Sequence, residues 1–114
     1  MGYRSEVVFK VGPEALEELE ELSNTDPELE ELLRDMKADA LEKSDAYNVF
    51  YYSWVKWYRE DPQIQMLMDF FKKLDAEGRD DEYGFIRLGE DDSDIEVLGS
   101  PYDIGLGYSR HVTF

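Results

Sequence analysis

Hydrophobic and polar residues alternate along the chain with two periods, which predict strands and helices. Residues 6–11 (EVVFKV) are rich in β-branched and aromatic residues, as is typical of a strand. Gly12-Pro13 ends this run, and proline is favoured at the first position of a helix. Leu16, Leu19 and Leu22 then recur every three residues, as on the buried side of a helix.

A second helix is predicted directly after the first. Asn24 marks the break, Thr25 or Asp26 is the expected cap, and Pro27 falls in the first turn. Its apolar residues recur at spacings of three and four, and they are Leu29, Leu32, Leu33, Met36, Ala40 and Leu41. The two helices are predicted to form a helical hairpin, or one kinked helix, with an outer face of carboxylates.

Residues 48–58 (NVFYYSWVKWY) give the strongest strand signal in the chain and suit a central strand. Simple alternation places Val49, Tyr51, Val55 and Trp57 on one face and Phe50, Tyr52, Trp54 and Tyr58 on the other. We expect Trp57 to enter the helix-covered core, because Lys56 shares the face of Trp54. Trp54 then becomes a candidate anchor for a protein partner.

The rest of the chain predicts one helix and three short strands. Asp61-Pro62 opens the helix and Gly78 follows it. Strands are expected at 83–88 and 95–98, as a hairpin, and at 110–114, with a loop at 101–107. The order predicts a single α+β domain over 1–114, with a mainly antiparallel sheet and about three helices on one face. A ferredoxin-like arrangement is an alternative, because a strand-Pro-helix unit occurs at 6–22 and at 49–74.

Charge limits the partners. The 114 residues carry 28 Asp and Glu against 12 Lys and Arg, a formal net charge of -16. Such a chain repels phosphate and anionic lipid, so basic proteins are better partners than nucleic acid or membranes. The chain has no cysteine, and neither a signal-peptide run nor ~20 consecutive apolar residues occurs. We expect a soluble cytoplasmic protein.

Residues 13–35 concentrate the negative charge. They contain one cation, Arg34, and ten carboxylates, which are Glu14, Glu17, Glu18, Glu20, Glu21, Asp26, Glu28, Glu30, Glu31 and Asp35. On one continuous helix these would fall about every 3.5 Å over roughly 35 Å. One DNA strand carries a charge about every 3.4 Å. The spacing therefore permits the segment to mimic a phosphate backbone.

A second acidic cluster lies in the predicted hairpin turn, at Glu90, Asp91, Asp92, Asp94 and Glu96. Carboxylate oxygens suit Ca²⁺ or Mg²⁺, but the spacing is not that of an EF-hand loop. A solvated turn is the favoured interpretation. With no cation evident nearby, replacing the three aspartates by asparagine is expected to leave stability unchanged or slightly higher.

Catalytic motifs are missing from the sequence. The only histidine, His111, stands beside no recognisable nucleophile motif, and the glycines do not have phosphate-loop or dinucleotide spacings. An aromatic platform for single-stranded nucleic acid would need a positively charged groove. The sequence therefore predicts neither an enzyme nor a cofactor.

Three blocks of residues carry a resemblance. They are the opening 1–7 (MGYRSEV), residues 55–58 (VKWY) followed by Pro62, and 83–91 (YGFIRLGED) with 94–96 (DIE). The chain resembles a group of small phage-encoded proteins of mostly unassigned function. This resemblance implies a phage origin and, given the charge, an inhibitor of a host defence or nucleic-acid enzyme, as anti-CRISPR proteins and DNA mimics are.

Three hypotheses follow. The first is an inhibitor that docks its carboxylates on a basic host protein or nucleoprotein; the second is a divalent-metal module or enzyme using residues 90–96; the third is a phage structural or housekeeping protein. The target and oligomeric state stay open. The partner-binding residues predicted under the first hypothesis are Glu17, Glu18, Glu20, Glu21, Glu28, Glu30, Glu31, Asp35, Trp54, Asp91, Asp92 and Asp94.

Overall fold

The computed structural model describes residues 2–39, 48–91, 93–108 and 111–113, and for 37–39 and 113 it describes the backbone alone. Ala40 and Leu41 of the face predicted for the second helix lie outside these residues. The strands of the main sheet are β1 (Ser5–Val11), β2 (Asn48–Val55), β3 (Tyr83–Gly89) and β4 (Ile95–Gly99). The helices are α1 (Pro13–Ser23), α2 (Pro27–Asp39) and α3 (Pro62–Ala76). The predicted α+β class, with an antiparallel sheet and helices on one face, is confirmed.

The strands lie in the order β2-β1-β3-β4, and every neighbouring pair is antiparallel. Phe9 of β1 pairs with Phe50 on one side and with Phe85 on the other. β1 and β3 are therefore the central strands and β2 is an edge strand, so the prediction that residues 48–58 form a central strand is wrong. A ferredoxin-like arrangement is not confirmed, because two helices separate β1 from β2 and the β-α-β-β-α-β order does not occur.

The main core lies between the sheet and the helices. Val7, Phe9 and Val11 of β1 are fully buried there. Phe9 stacks on Phe50 with ring centroids 4.6 Å apart, and Phe71 of α3 stacks on Tyr83 at 4.7 Å. The inward residues predicted for α3 are all buried, and they are Ile64, Leu67, Met68, Phe71 and Leu74.

The helix boundaries follow the expected signals. Asp26 caps α2, because its Oδ1 accepts the backbone N–H groups of Glu28 at 2.9 Å and Leu29 at 3.1 Å. In α1, Leu19 is fully buried, but Leu16 and Leu22 are only half-buried. The predicted buried stripe of α1 is thus correct only at its centre.

The opposite face of the sheet is covered by the C-terminal part of the chain. A 3-10 turn (Pro101–Ile104) and two short strands, β5 (Gly107–Tyr108) and β6 (Val112–Thr113), follow β4. Buried Lys10 donates a hydrogen bond to the Ile104 carbonyl oxygen at 2.9 Å. Gly84 allows the close approach, because a Cβ there would lie 2.5 Å from the Pro101 Cα.

This C-terminal segment corrects two predictions. Residues 101–107 are not only loop, since they contain the 3-10 turn, and β6 pairs with β5 and does not extend the main sheet. Arg110 and Phe114 of the predicted closing strand lie outside the described residues. Leu106 and Val112 form a second apolar cluster with Val8, Val49, Ile86 and Leu88 of the sheet.

A bulge in β2 changes which face its residues occupy. The register passes from Val7 opposite Tyr52 to Ser5 opposite Val55, so β2 contains one extra residue. Val49 and Tyr51 consequently pack in the second cluster, whereas Val55 and Trp57 pack in the main core. The common face predicted for these four residues is wrong, but Trp57 is buried (6% exposed) and Trp54 is exposed (55%) as predicted.

Truncating the two tryptophans should therefore have unequal effects. Trp57→Ala removes a side chain that contacts Phe85, with centroids 6.0 Å apart, and should lower the free energy of unfolding by about 3–5 kcal/mol. Trp54→Ala should change it by roughly 0.5 kcal/mol or less, as at other surface positions. Urea unfolding of both variants measures this, and equal losses would contradict the assigned burial.

Candidate functional site

Helices α1 and α2 each carry one row of exposed carboxylates. Each row has the spacing i, i+3, i+7, which brings its members to one side of a helix. All six side chains are exposed. The α1 row is Glu14, Glu17 and Glu21, and the α2 row is Glu28, Glu31 and Asp35. Together they are called the acidic face.

No member of the acidic face forms a salt bridge with another residue that the structure describes. Like charges three or four residues apart destabilise a helix by roughly 0.2–0.5 kcal/mol per pair. The two rows therefore reduce the intrinsic stability of both helices. The α2 row lines a depression together with Lys56 of the segment after β2, which forms no salt bridge with it. The charge of both rows thus stays without an ion pair within the described residues.

The sequence prediction assumed that the charges lie along one continuous helix. In the structure they do not follow one straight line. α1 ends at Ser23 and α2 begins at Pro27, so the chain turns between them. The helices are about 16 Å and 20 Å long at 1.5 Å per residue, and each row spans roughly 10 Å. Any likeness to a phosphate backbone comes from two short rows, not from a single row of about 35 Å.

Glu20 and Glu30 lie apart from the two rows. They line a groove of about 440 Å³ between α1 and α2, whose remaining lining includes Leu16, Phe50 and Arg34. Arg34 thus brings a positive charge to the groove that both carboxylates line, although it forms no salt bridge with either. These two predicted site residues are exposed, but they belong to a different surface from the acidic face.

Glu18 belongs to an ion-pair cluster. Arg79 contacts its Oε2, and Lys73 lies 3.3 Å from its Oε1. Arg79 also pairs with Glu82 at 2.6 Å and with Glu77 at 2.9 Å. The hydrogen bond from Arg79 lowers the pKa of Glu18 below its usual range. Glu18, which was predicted to bind a partner, thus forms ion pairs that connect α1 to the end of α3.

Glu18→Gln should destabilise the protein more than Glu17→Gln, which removes the same charge one residue away. The Glu18→Gln substitution weakens charge-assisted hydrogen bonds that are partly exposed to solvent. We therefore expect the unfolding free energy to decrease by roughly 1 kcal/mol. Glu17→Gln should be neutral or slightly stabilising, because it relieves like-charge repulsion. Chemical denaturation measures the unfolding free energy of both variants. A larger decrease for Glu17→Gln would contradict the ion pairs assigned to Glu18.

The acidic turn also has internal partners. Arg87 donates hydrogen bonds to Asp94 at 2.7 and 3.1 Å and to Glu96 at 3.1 Å. Tyr3 donates to Asp94 at 2.8 Å. The expectation that no counter-cation stands near these aspartates is wrong, because β3 and β4 pair and bring Arg87 beside them.

The remaining carboxylates of the turn are held by the backbone nearby. Asp91 accepts the Ser93 N–H at 2.9 Å, which lowers its pKa. Glu90 accepts the Arg4 N–H at 2.6 Å. Asp92 lies outside the described residues. No group of three His, Asp or Glu side chains in the described part of the chain is arranged to hold a metal ion.

Asp94→Asn should destabilise the fold, contrary to the expectation from sequence. The hydrogen bonds from Arg87, and then from Tyr3, lower the pKa of Asp94. Ionised Asp94 therefore stabilises the fold above its unfolded-state pKa of roughly 3.9, and this contribution is lost as pH falls through the lower folded-state value. Because the side chain is 36% exposed, we expect a loss of about 1 kcal/mol at pH 7.

Unfolding from pH 7 to pH 2 measures this effect. The difference between wild type and Asp94→Asn should disappear at the acidic end, whereas Asp81→Asn, which removes an exposed carboxylate, should show little difference at pH 7. A difference that persists unchanged to pH 2 would show that the ionised form of Asp94 is not responsible.

Sequence reasoning missed a second groove, which lies between α1 and α3 and has a volume of about 590 Å³. Met66 and Asp69 of α3 line it together with Glu21 of α1. The available signal was a pair of apolar residues, Met66 and Phe70, four positions apart beside the main apolar stripe of α3.

The wider comparisons add no relative. Comparisons with protein-family models, curated proteins and solved structures give no match. The resemblance to small phage proteins therefore stays a prediction. Among the described helices, none combines the length and the apolar character needed to cross a membrane.

Proposed function

We propose that this chain is a binding protein that docks its acidic face on the basic surface of a nucleic-acid-handling protein. It acts by occupying that surface and has no chemistry of its own. The observation that supports the proposal is the pair of exposed carboxylate rows on α1 and α2, which lack ion pairs within the described residues. An inhibitor of phage type, similar in action to an anti-CRISPR protein or a DNA mimic, fits this mode of binding.

Electrostatic complementarity explains how such a face selects its partner. A net charge of -16 attracts a basic surface and speeds the encounter, while exposed charges at an interface mainly affect association. A channel lined by Lys and Arg to hold phosphates offers the matching charge. The host cytoplasm is the compartment in which a phage-type inhibitor would meet such a protein.

Competition with DNA tests the proposal directly. The immobilised protein is incubated with host lysate at low salt, and bound proteins are then eluted with a double-stranded oligonucleotide or with added salt. Elution of a basic nucleic-acid-binding protein by DNA, at a salt concentration that alone releases little, supports the proposal. Retention of every captured protein in the presence of DNA would contradict it.

Charge-neutral variants connect the binding to the acidic face. Glutamine replaces four of its residues, which are Glu17, Glu21, Glu28 and Glu31. A matched variant neutralises four exposed carboxylates elsewhere, which are Glu60, Asp80, Asp81 and Asp103. The first variant should weaken binding to the captured partner on the order of tenfold, at a few tenths of a kcal/mol per exposed pair.

The matched variant has the same net charge and should bind nearly as well as wild type. Binding by wild type should also weaken as salt rises, since the screening length is about 10 Å at 0.1 M. Surface plasmon resonance measures both effects. Equal losses of affinity for the two variants would show that binding depends on net charge alone. That result would contradict the acidic face as the binding site and fit a protein whose charge serves only solubility.

A further inference from the structure

The groove between α1 and α3 has the same residue pattern on both sides. α1 contributes a carboxylate followed by an apolar residue, Glu21 and Leu22, and α3 contributes Asp69 and Phe70 in the same order. Met66 lies one helical turn before Phe70. Each side therefore places a negative charge beside an apolar surface, and the groove repeats this combination across its width.

An ion pair at Glu18 joins the two sides of this groove. Lys73 lies 3.3 Å from Glu18, and Arg79 contacts the other oxygen of the same carboxylate. Glu21 and Asp69 are exposed and pair with no cation that the structure describes, although Asp69 also borders a depression lined by Arg59 and Lys72. The charge available inside the groove is thus negative.

The apolar surface of the groove is partly accessible. Leu22 and Met66 are half-buried, and Phe70, 5% exposed, lies beneath them as part of the main core. A volume of about 590 Å³ falls within the ~300–1,000 Å³ typical of ligand pockets. A methionine at such a surface adapts to side chains of different shape.

We propose that this groove binds a cationic amphipathic helix of the basic partner, with apolar side chains on Leu22 and Met66 and Lys or Arg beside Glu21 and Asp69. This proposal rests on the proposed function and specifies the chemistry of the partner. An amphipathic helix suits the site, because its apolar residues and its flanking cations recur at the same spacings as the groove residues.

Charge complementarity favours this groove over the one between α1 and α2. In the α1–α2 groove Arg34 forms no salt bridge with another described residue and would repel an incoming cation. In the α1–α3 groove the corresponding cation, Lys73, is already paired with Glu18.

Two synthetic peptides test the proposal. The first is an amphipathic peptide with Leu and Lys at helical spacing, and the second has Gln in place of every Leu. Titration into protein with ¹³C-labelled methionine methyl groups should shift the Met66 signal only with the first peptide. Met36 and Met68 are buried and should shift little, which provides an internal reference.

Variants on α3 locate the binding without altering the six residues of the acidic face. Met66→Gln and Asp69→Asn should each weaken binding of the amphipathic peptide on the order of five- to tenfold. The matched controls, Leu16→Gln in the other groove and Asp81→Asn, should change it less than twofold. Thermal melts confirm that each variant is folded, and Asp69→Asn tests the groove independently if Met66→Gln unfolds.

The outcomes separate this proposal from the proposed function. An unmoved Met66 signal, or equal binding of both peptides that is lost only on neutralising the acidic face, would overturn the groove proposal and leave the proposed function intact. Failure of both the peptides and the lysate proteins to bind would overturn both. A preference for the first peptide that depends on Met66 and Asp69 supports the groove.

Discussion

The structure depends on burying both faces of β1, one of the two central strands. Val7, Phe9 and Val11 point toward the helices, while Val8 and Lys10 point toward the C-terminal segment. A strand whose side chains are buried on both faces needs cover on both sides. Three helices supply one layer, and residues 101–108 and Val112 contribute to the other. The outer side of the helical layer is then the surface on which α1 and α2 display their charge.

The distribution of cations decides where negative charge remains available. Arg79 pairs with three carboxylates at the junction of α1 and α3, and Arg87 with two across the β3–β4 hairpin. Both arginines therefore hold elements of the fold together. The acidic face receives no such partner within the described residues, and water and salt reduce the repulsion among its exposed charges. The acidic face and the ion pairs that stabilise the fold thus lie in different parts of the molecule.

The position of α1 links the acidic face to the two grooves. One side of the helix carries Glu14, Glu17 and Glu21, while the half-buried Leu16 and Leu22 line the grooves on either flank. In the proposed complex, the exposed rows would attract a basic partner, and apolar contacts in a groove would determine how slowly it leaves. This division of roles would let a strongly charged surface distinguish one basic protein from another.

The local features of this protein were determined by its sequence alone. Prolines 13, 27 and 62 start the three helices where expected, and the two carboxylate rows follow from helical spacing, since both depend only on neighbouring residues. Tertiary structure decided the partners of Glu18 and Asp94, because Arg79 and Arg87 come near only when α3 and the hairpin pack. The bulge in β2 and the α1–α3 groove likewise arise from contacts between distant segments, which no local pattern specifies.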